Sequence, residues 1–197
     1  MTVFHLVRHA QHDWLGRGLA GREDVPLSPA GLAQAERLAD RLERERPDIL
    51  QSSPMLRTRQ TAEPLARRLG VAVETAPAVQ EIDFGAWTGR SFEELDRDPA
   101  WHRWNAVRSA ARAPGGEAMF EVQSRFAAHL TALHAEHPDA RIVLFSHGDP
   151  IRAALAHWLG APLDLFLRIE VSPASVSTIL LDAGGPRVLR INEAVPE

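Results

Sequence analysis

Two histidines stand at the ends of two apolar runs. Val3 to Val7 is apolar apart from His5 and stops at Arg8-His9, and Arg141 to Phe145 (RIVLF) stops at Ser146-His147-Gly148. Short runs of this kind read as buried strands. The carboxyl edge of an open α/β sheet is where ligands bind, so parallel neighbouring strands would bring both imidazoles to one edge. Arginines accompany them: Arg8 beside His9, and Arg57 and Arg59 just inside a helix opening at Ser53-Pro54. Spacing alone does not choose between Arg57 and Arg59. Helix starts offer free N–H groups and a field that favours anions, and guanidinium adds a rigid donor fork. Two imidazoles among arginines and helix starts suit a phosphoryl group better than a metal ion. The plain alternative is a surface Arg8 and a satisfied boundary His9.

A zinc site built from His5, His9 and His12 is the competing chemistry. On a strand His5 and His9 share a face at distant levels, His12 lies beyond the strand end, and no acidic cluster accompanies them. No metal is expected. His102, His129, His134, His137 and His157 fall on helical stretches and read as surface or packing residues.

The elements that must position these groups follow from the pattern. Ser28-Pro29 opens a helix that runs to about Arg46, with Leu32, Ala35, Leu38, Ala39 and Leu42 inward. Ile49 to Ser52 is a strand. Ser53-Pro54 repeats the cap-and-proline start of a helix that Gly70 ends, with Leu56, Ala62, Leu65 and Leu69 inward. Val71 to Glu74 alternates as a short strand. Gln80 to Gly89 is irregular, and residues 86–116 resemble an inserted cap with helices at Ser91 and Asp98-Pro99. A helix from Glu117 to Glu136 places Phe120, Phe126, Leu130 and Leu133 on one side. Ile151 to Leu159 is helical, with Asp149 as its cap or else a contact to a polar substrate, and Val176–Leu181 and Val188–Ile191 form terminal antiparallel strands. Strands alternating with amphipathic helices predict a three-layer α/β/α sandwich with a mostly parallel sheet, in one domain spanning 1–197.

Composition narrows the chemistry further. The formal net charge of -4 gives no general attraction to nucleic acid or anionic membrane. All 22 basic residues are arginine and cysteine is absent. Schiff-base lysine, thiolate catalysis and disulfides are therefore excluded. No window approaches a membrane span, which makes the cytoplasm the expected location. Monomer and homodimer both remain open.

Six ordered elements carry a family resemblance. They are Leu6-Val7-Arg8-His9 with Trp14; Asp24, Pro26, Leu27, Ser28, Gly31, Gln34 and Ala35; Ser53-Pro54-Met55-Leu56-Arg57 with Gln60-Thr61-Ala62; Glu81, Phe84, Gly85, Trp87 and Gly89; Pro114 to Glu117; and Ser146 to Gly148. The chain resembles the histidine phosphatase superfamily, also called phosphoglycerate mutase-like, on its phosphatase branch, which includes α-ribazole phosphatase-like proteins. The resemblance implies His9 as nucleophile, with Arg8, Arg57 and His147 completing a phosphate pocket. It also implies Glu81 as proton donor, and Gly148 and Gly21 as further phosphate contacts. No cofactor is implied, and the partner is a small phosphorylated metabolite. A protonated His147 would be one more positive donor, and activity would fall at acid pH as His9 is protonated.

Departures favour hydrolysis. Ala10 replaces the signature glycine, His12 a Thr or Ser, Leu15 an asparagine, and Ala20 a Ser or Thr before Gly21. The last three are polar positions that help mutase members hold substrate, while the added methyl of Ala10 is a small change. Phosphoglycerate mutase and a catalytically silent phospholigand- or protein-binding module stay as alternatives. Trp101, Trp104, Arg103 and Arg108 are candidates for an aromatic and cationic rim on the cap, and a Trp pair in such helices is core at least as often.

Overall fold

The first apolar run becomes β1 (Thr2–Arg8) of the computed structural model, which describes residues 1–194. In α1 (Pro29–Glu43) the Ser28 hydroxyl accepts the Gly31 N–H at 3.1 Å, and Pro29 occupies the first turn, where its missing N–H costs nothing. Gly31 is required by proximity: a Cβ there would lie 1.9 Å from the Gln11 carbonyl oxygen. The helix therefore rests on the backbone that leaves β1. It ends near Arg44, earlier than its pattern predicts, and Arg46 turns with φ of 49°.

After β2 (Ile49–Ser52), α2 (Leu56–Leu69) begins two residues later than Ser53-Pro54 predicts. Met55 occupies the cap position, and Asp24 accepts the Leu56 N–H at 3.0 Å. Gly70, at φ of 66°, closes the helix. Then come β3 (Val73–Thr75), α3 (Phe92–Leu95), α4 (Pro99–Ala106), α5 (Met119–Glu136), β4 (Arg141–Ser146) and α6 (Gly148–Leu159). The chain finishes with the hairpin of β5 (Val176–Asp182) and β6 (Gly185–Glu193).

The sheet order is β3-β2-β4-β1-β5-β6. β3, β2, β4 and β1 pair in parallel, while β5 is antiparallel to both neighbours. Alternating residues feed two layers. Phe4, Leu6, Ile142 and Leu144 pack on Phe126 and Leu130 of α5 and Ile151 and Leu155 of α6. Val7, Leu50, Val143 and Phe145 pack on Leu38 and Leu42 of α1 and Leu65 of α2. This is the expected three-layer α/β/α arrangement with a mostly parallel sheet.

Some positions read as inward face water instead. Leu32 and Phe120 are exposed, whereas Gly31 and Met119, one position earlier in the same first turns, are the residues that each helix buries. Trp101 and Trp104 do not form a rim. They pack with Phe84, Trp87, Leu95 and Met119 in an apolar cluster of their own. Arg108 is also buried, its guanidinium carbon 3.3 Å from the centre of the Trp104 ring. Among the described residues no helix is long and apolar enough to cross a membrane.

Candidate active site

Register decides where the histidines meet. Arg8 pairs with Ser146 across β1 and β4, so His9 and His147 are each one residue past the end of neighbouring parallel strands. Their ring centroids are 5.3 Å apart. β2 ends beside them, and Ser53 donates its N–H to the Phe145 carbonyl at 2.9 Å. Its hydroxyl lies 2.8 Å from His147 Nε2. Three adjacent strand ends therefore deliver His9, His147 and Ser53 to one corner.

That corner opens into a cleft of about 290 Å³, lined by Arg8, His9, Gly21, Arg57, Glu81 and Gly148 among others. Arg57 is 1% exposed, and its Nη1 and Nη2 donate to the carbonyls of Glu23 (2.9 Å) and Gly21 (2.6 Å). Arg59 is exposed, so burial makes the choice that spacing left open. Arg8 Nη1 donates to the Val171 carbonyl at 2.6 Å. The Nε atoms of both arginines and Nδ1 of His147 are buried without a protein partner. Unpaired buried donors are costly, and an oxyanion in the cleft is the chemistry that satisfies them. Gly148 begins α6, whose first N–H groups have no intrahelical acceptor.

Protonation follows from burial. His9 Nδ1 lies 2.8 Å from the Ala10 carbonyl, which can only accept, so Nδ1 carries the proton and Nε2 the lone pair. Burial, then Arg57 and Arg8, push His9 well below the usual histidine range, so it is neutral. Burial and Arg57 depress His147 in the same way. The expected imidazolium at His147 is therefore corrected to a neutral ring, because the ring is fully buried and two guanidiniums already stand near it. Burial, then the charge of Asp149, push the Glu81 carboxyl up to about 7 against the pull of Arg57. Glu81 Oε2 and His147 Nδ1 are 3.8 Å apart, but with both groups neutral below pH 7 this contact is not an ion pair.

Glu81 is held from behind. Its carbonyl accepts from Arg22 Nε (3.1 Å) and Arg125 Nη2 (3.3 Å), and Glu117 bonds both arginines and the Asp83 N–H. Arg125 braces this loop, donating also to the carbonyls of Ala78 and Gln80.

A family model described as the histidine phosphatase superfamily (branch 1) matches residues 4–194. The chain belongs to that superfamily. Within it, the chain is 34% identical over 196 residues to phosphoserine phosphatase 1 of Hydrogenobacter thermophilus, covering 98% of this chain and 92% of that protein. It is 31% identical over 182 residues to a probable phosphoglycerate mutase of Proteus mirabilis, covering 91% and 85%. The solved structure of a mycobacterial glucosyl-3-phosphoglycerate phosphatase matches at TM-score 0.89 and 27% identity, over 98% of this chain and 99% of that one. Membership, the phosphoserine phosphatase relative and the phosphatase structure support phosphatase activity of the histidine phosphatase superfamily type.

Several superfamily cleft residues escaped the sequence reading. His12, set aside as lying beyond the strand, stacks near His9 with ring centroids 5.1 Å apart and is pushed down to about 4, chiefly by burial. Arg152 and Ser53 were missed. The i,i+3 spacing of Asp149 and Arg152 on α6 was the available signal for the first. Asp149 does not cap α6: His147 holds that position, and Asp149 bonds Arg108 at 3.0 Å and Arg152 at 3.1 Å. His5 lies apart from the cleft, 3.2 Å from the Thr178 hydroxyl.

Proposed function

We propose that this chain is a metal-independent phosphomonoesterase that hydrolyses a small phosphorylated metabolite through a phosphohistidine. The observation that carries this reading is a neutral His9, its Nδ1 proton tied to the Ala10 carbonyl and its Nε2 lone pair free, beside the buried guanidinium of Arg57 and the partly buried one of Arg8. His9 Nε2 attacks phosphorus as the bond to the ester oxygen breaks. Protonated Glu81 gives its proton to that oxygen, and the alcohol leaves. Glu81, now a carboxylate, takes a proton from the water that attacks the phosphohistidine. The N–P bond breaks, inorganic phosphate forms, and His9 and protonated Glu81 are restored.

Arg8 and Arg57 balance the charge that develops on the equatorial oxygens, a role that metal ions fill in other phosphoryl transfer enzymes. With the Ser53 hydroxyl donating to Nε2, neutral His147 offers its Nδ1–H to the same group. Gly148 and Gly21 flank the phosphate, and residues 86–116 act as the cap, with Phe92 reaching the cleft.

The probable mutase among the relatives favours a second reading, return of the phosphoryl group to the product. The cleft speaks for water as acceptor instead. Leu15 and Ala20 line it where the mutase pattern has polar groups, so fewer donors hold a departing product. The test is release of inorganic phosphate from an aryl phosphate in EDTA, comparing wild type with His9→Ala. Activity in EDTA that disappears with His9 is expected. Strict metal dependence, or full activity in H9A, overturns the reading. Coupled turnover of 3-phosphoglycerate with and without a bisphosphate primer separates the mutase.

A further inference from the structure

One cation in the cleft takes no part in the steps above. Arg152 sits one turn into α6, and its side chain lines the cleft with Arg8. Arg152 Nη1 and the Arg8 Nε and Cζ atoms all lie within 3.4 Å of the point that a Cβ on Gly148 would occupy. Two guanidiniums therefore crowd one corner, and an anion that joins them relieves their mutual repulsion.

Arg152 is braced rather than free. Its Nε donates to the Ile169 carbonyl at 2.9 Å and its Nη1 to Asp149 Oδ1 at 3.1 Å, which leaves Nη2 without a protein partner among the described residues. Asp149 does not cancel this charge, because its other oxygen accepts from Arg108 at 3.0 Å. Arg108 is itself covered by the Trp104 ring and fixed by Asn105 at 2.7 Å. The partly buried group of two arginines and one carboxylate thus keeps one unit of positive charge, presented to the cleft through Arg152. Leu15, Leu19, Phe84 and Phe92 supply apolar lining in the same cleft, with no further cation among them.

We propose that Arg152 is a specificity-determining residue that binds a carboxylate on the alcohol portion of the substrate. The assignment rests on reading the cleft as a phosphomonoesterase site. The unpartnered Nη2 of a braced guanidinium suits a carboxylate oxygen, and a partly buried corner strengthens the pairing. Because Arg152 shares the Gly148 corner with Arg8, the carboxylate lies only a few bonds from the ester oxygen. The substrate class is accordingly a short phosphorylated hydroxy acid. Asp149 is a positioning residue that aims Arg152, and Arg108, just past α4, ties that aim to the cap.

The test compares two esters with one carbon skeleton, 3-phosphoglycerate with its carboxylate and glycerol 3-phosphate with a hydroxymethyl group in that place. The readout is the ratio of their kcat/KM values. Wild type prefers the carboxylated ester, and Arg152→Gln lowers the ratio about 10- to 100-fold, the value of a charge-assisted hydrogen-bonded pair. Arg152→Lys falls between, since it keeps the charge and loses the fork. A ratio that R152Q leaves unchanged, whether both rates fall together or both hold, overturns the proposal. Should R152Q fail to fold, an unchanged ratio in R152K does the same. Wild type inactive on both esters and on an aryl phosphate defeats the phosphomonoesterase reading itself. Wild type active on all three with a ratio indifferent to Arg152 defeats only the carboxylate site.

Discussion

Burial acts on His9 and Glu81 in opposite chemical senses with one outcome, since each is uncharged just below pH 7. A lone pair and a transferable proton therefore coexist in the same cleft. The value of kcat/KM on an aryl phosphate should hold down to pH values well below 6.5 and fall above about 7, where Glu81 ionises. A rate rising through pH 7 would contradict this assignment. The loss expected from sequence lay on the acid side, within the ordinary histidine range. Burial of His9, and then the arginines beside it, move that limb lower, and the limb near neutrality belongs to Glu81. Glu81→Gln should remove the alkaline limb and cost about 10²- to 10⁴-fold in rate. Asp149→Asn removes a negative neighbour that raises Glu81, so its alkaline limb should move to lower pH. An unmoved limb in D149N would show that burial alone sets the Glu81 proton.

At the scale of elements, the cleft depends on how α1 and the α3–α4 segment are anchored. Ser28→Ala removes the hydroxyl that accepts the Gly31 N–H, and urea unfolding should report a loss of about 1 kcal/mol. Trp104 is fully buried against Phe84, Trp87 and Trp101 and also carries the Arg108 guanidinium. Trp104→Ala should cost about 3–5 kcal/mol in the same measurement. The α2 start shows how a local signal can be right in chemistry and wrong in place. Ser53-Pro54 has the composition of a cap, but the Ser53 hydroxyl turns to His147, and the helix opens at Leu56 with Asp24 as acceptor. A capping residue's hydroxyl has more than one possible partner, and only the fold brings the competing one within reach.

For the molecule as a whole, a site that holds unpaired donors should be stabilised by what fills it. Inorganic phosphate at 100 times its Kd should add about 2.7 kcal/mol to stability. Arg57→Ala should lose most of that gain at the same concentration, and a denaturant series with and without phosphate measures both. Stability should also depend on pH through the buried groups. Glu81 ionises near 7 when folded and near 4.5 when unfolded, so its contribution is full below about 4.5 and lost as pH rises through 7. E81Q should therefore be more stable than wild type at pH 8, with the difference closing below pH 5. His9 and His147 act in reverse, since the unfolded chain takes up their protons first as pH falls below 6.5.

The layered α/β design, both histidine-bearing strands and the six ordered motifs were legible in the chain itself. Alternation of apolar residues, strand-ending polar groups and helix caps are local properties, written in neighbouring positions. Which arginine enters the cleft was not legible from spacing, because Arg57 and Arg59 differ by two residues on one helix and only the packing of α2 buries the first. The same holds for His12, Arg152 and the inward turn of Trp101, Trp104 and Arg108. Their roles depend on residues tens of positions away, and such long-range contacts, together with the burial that sets protonation, exist only once the sheet has assembled.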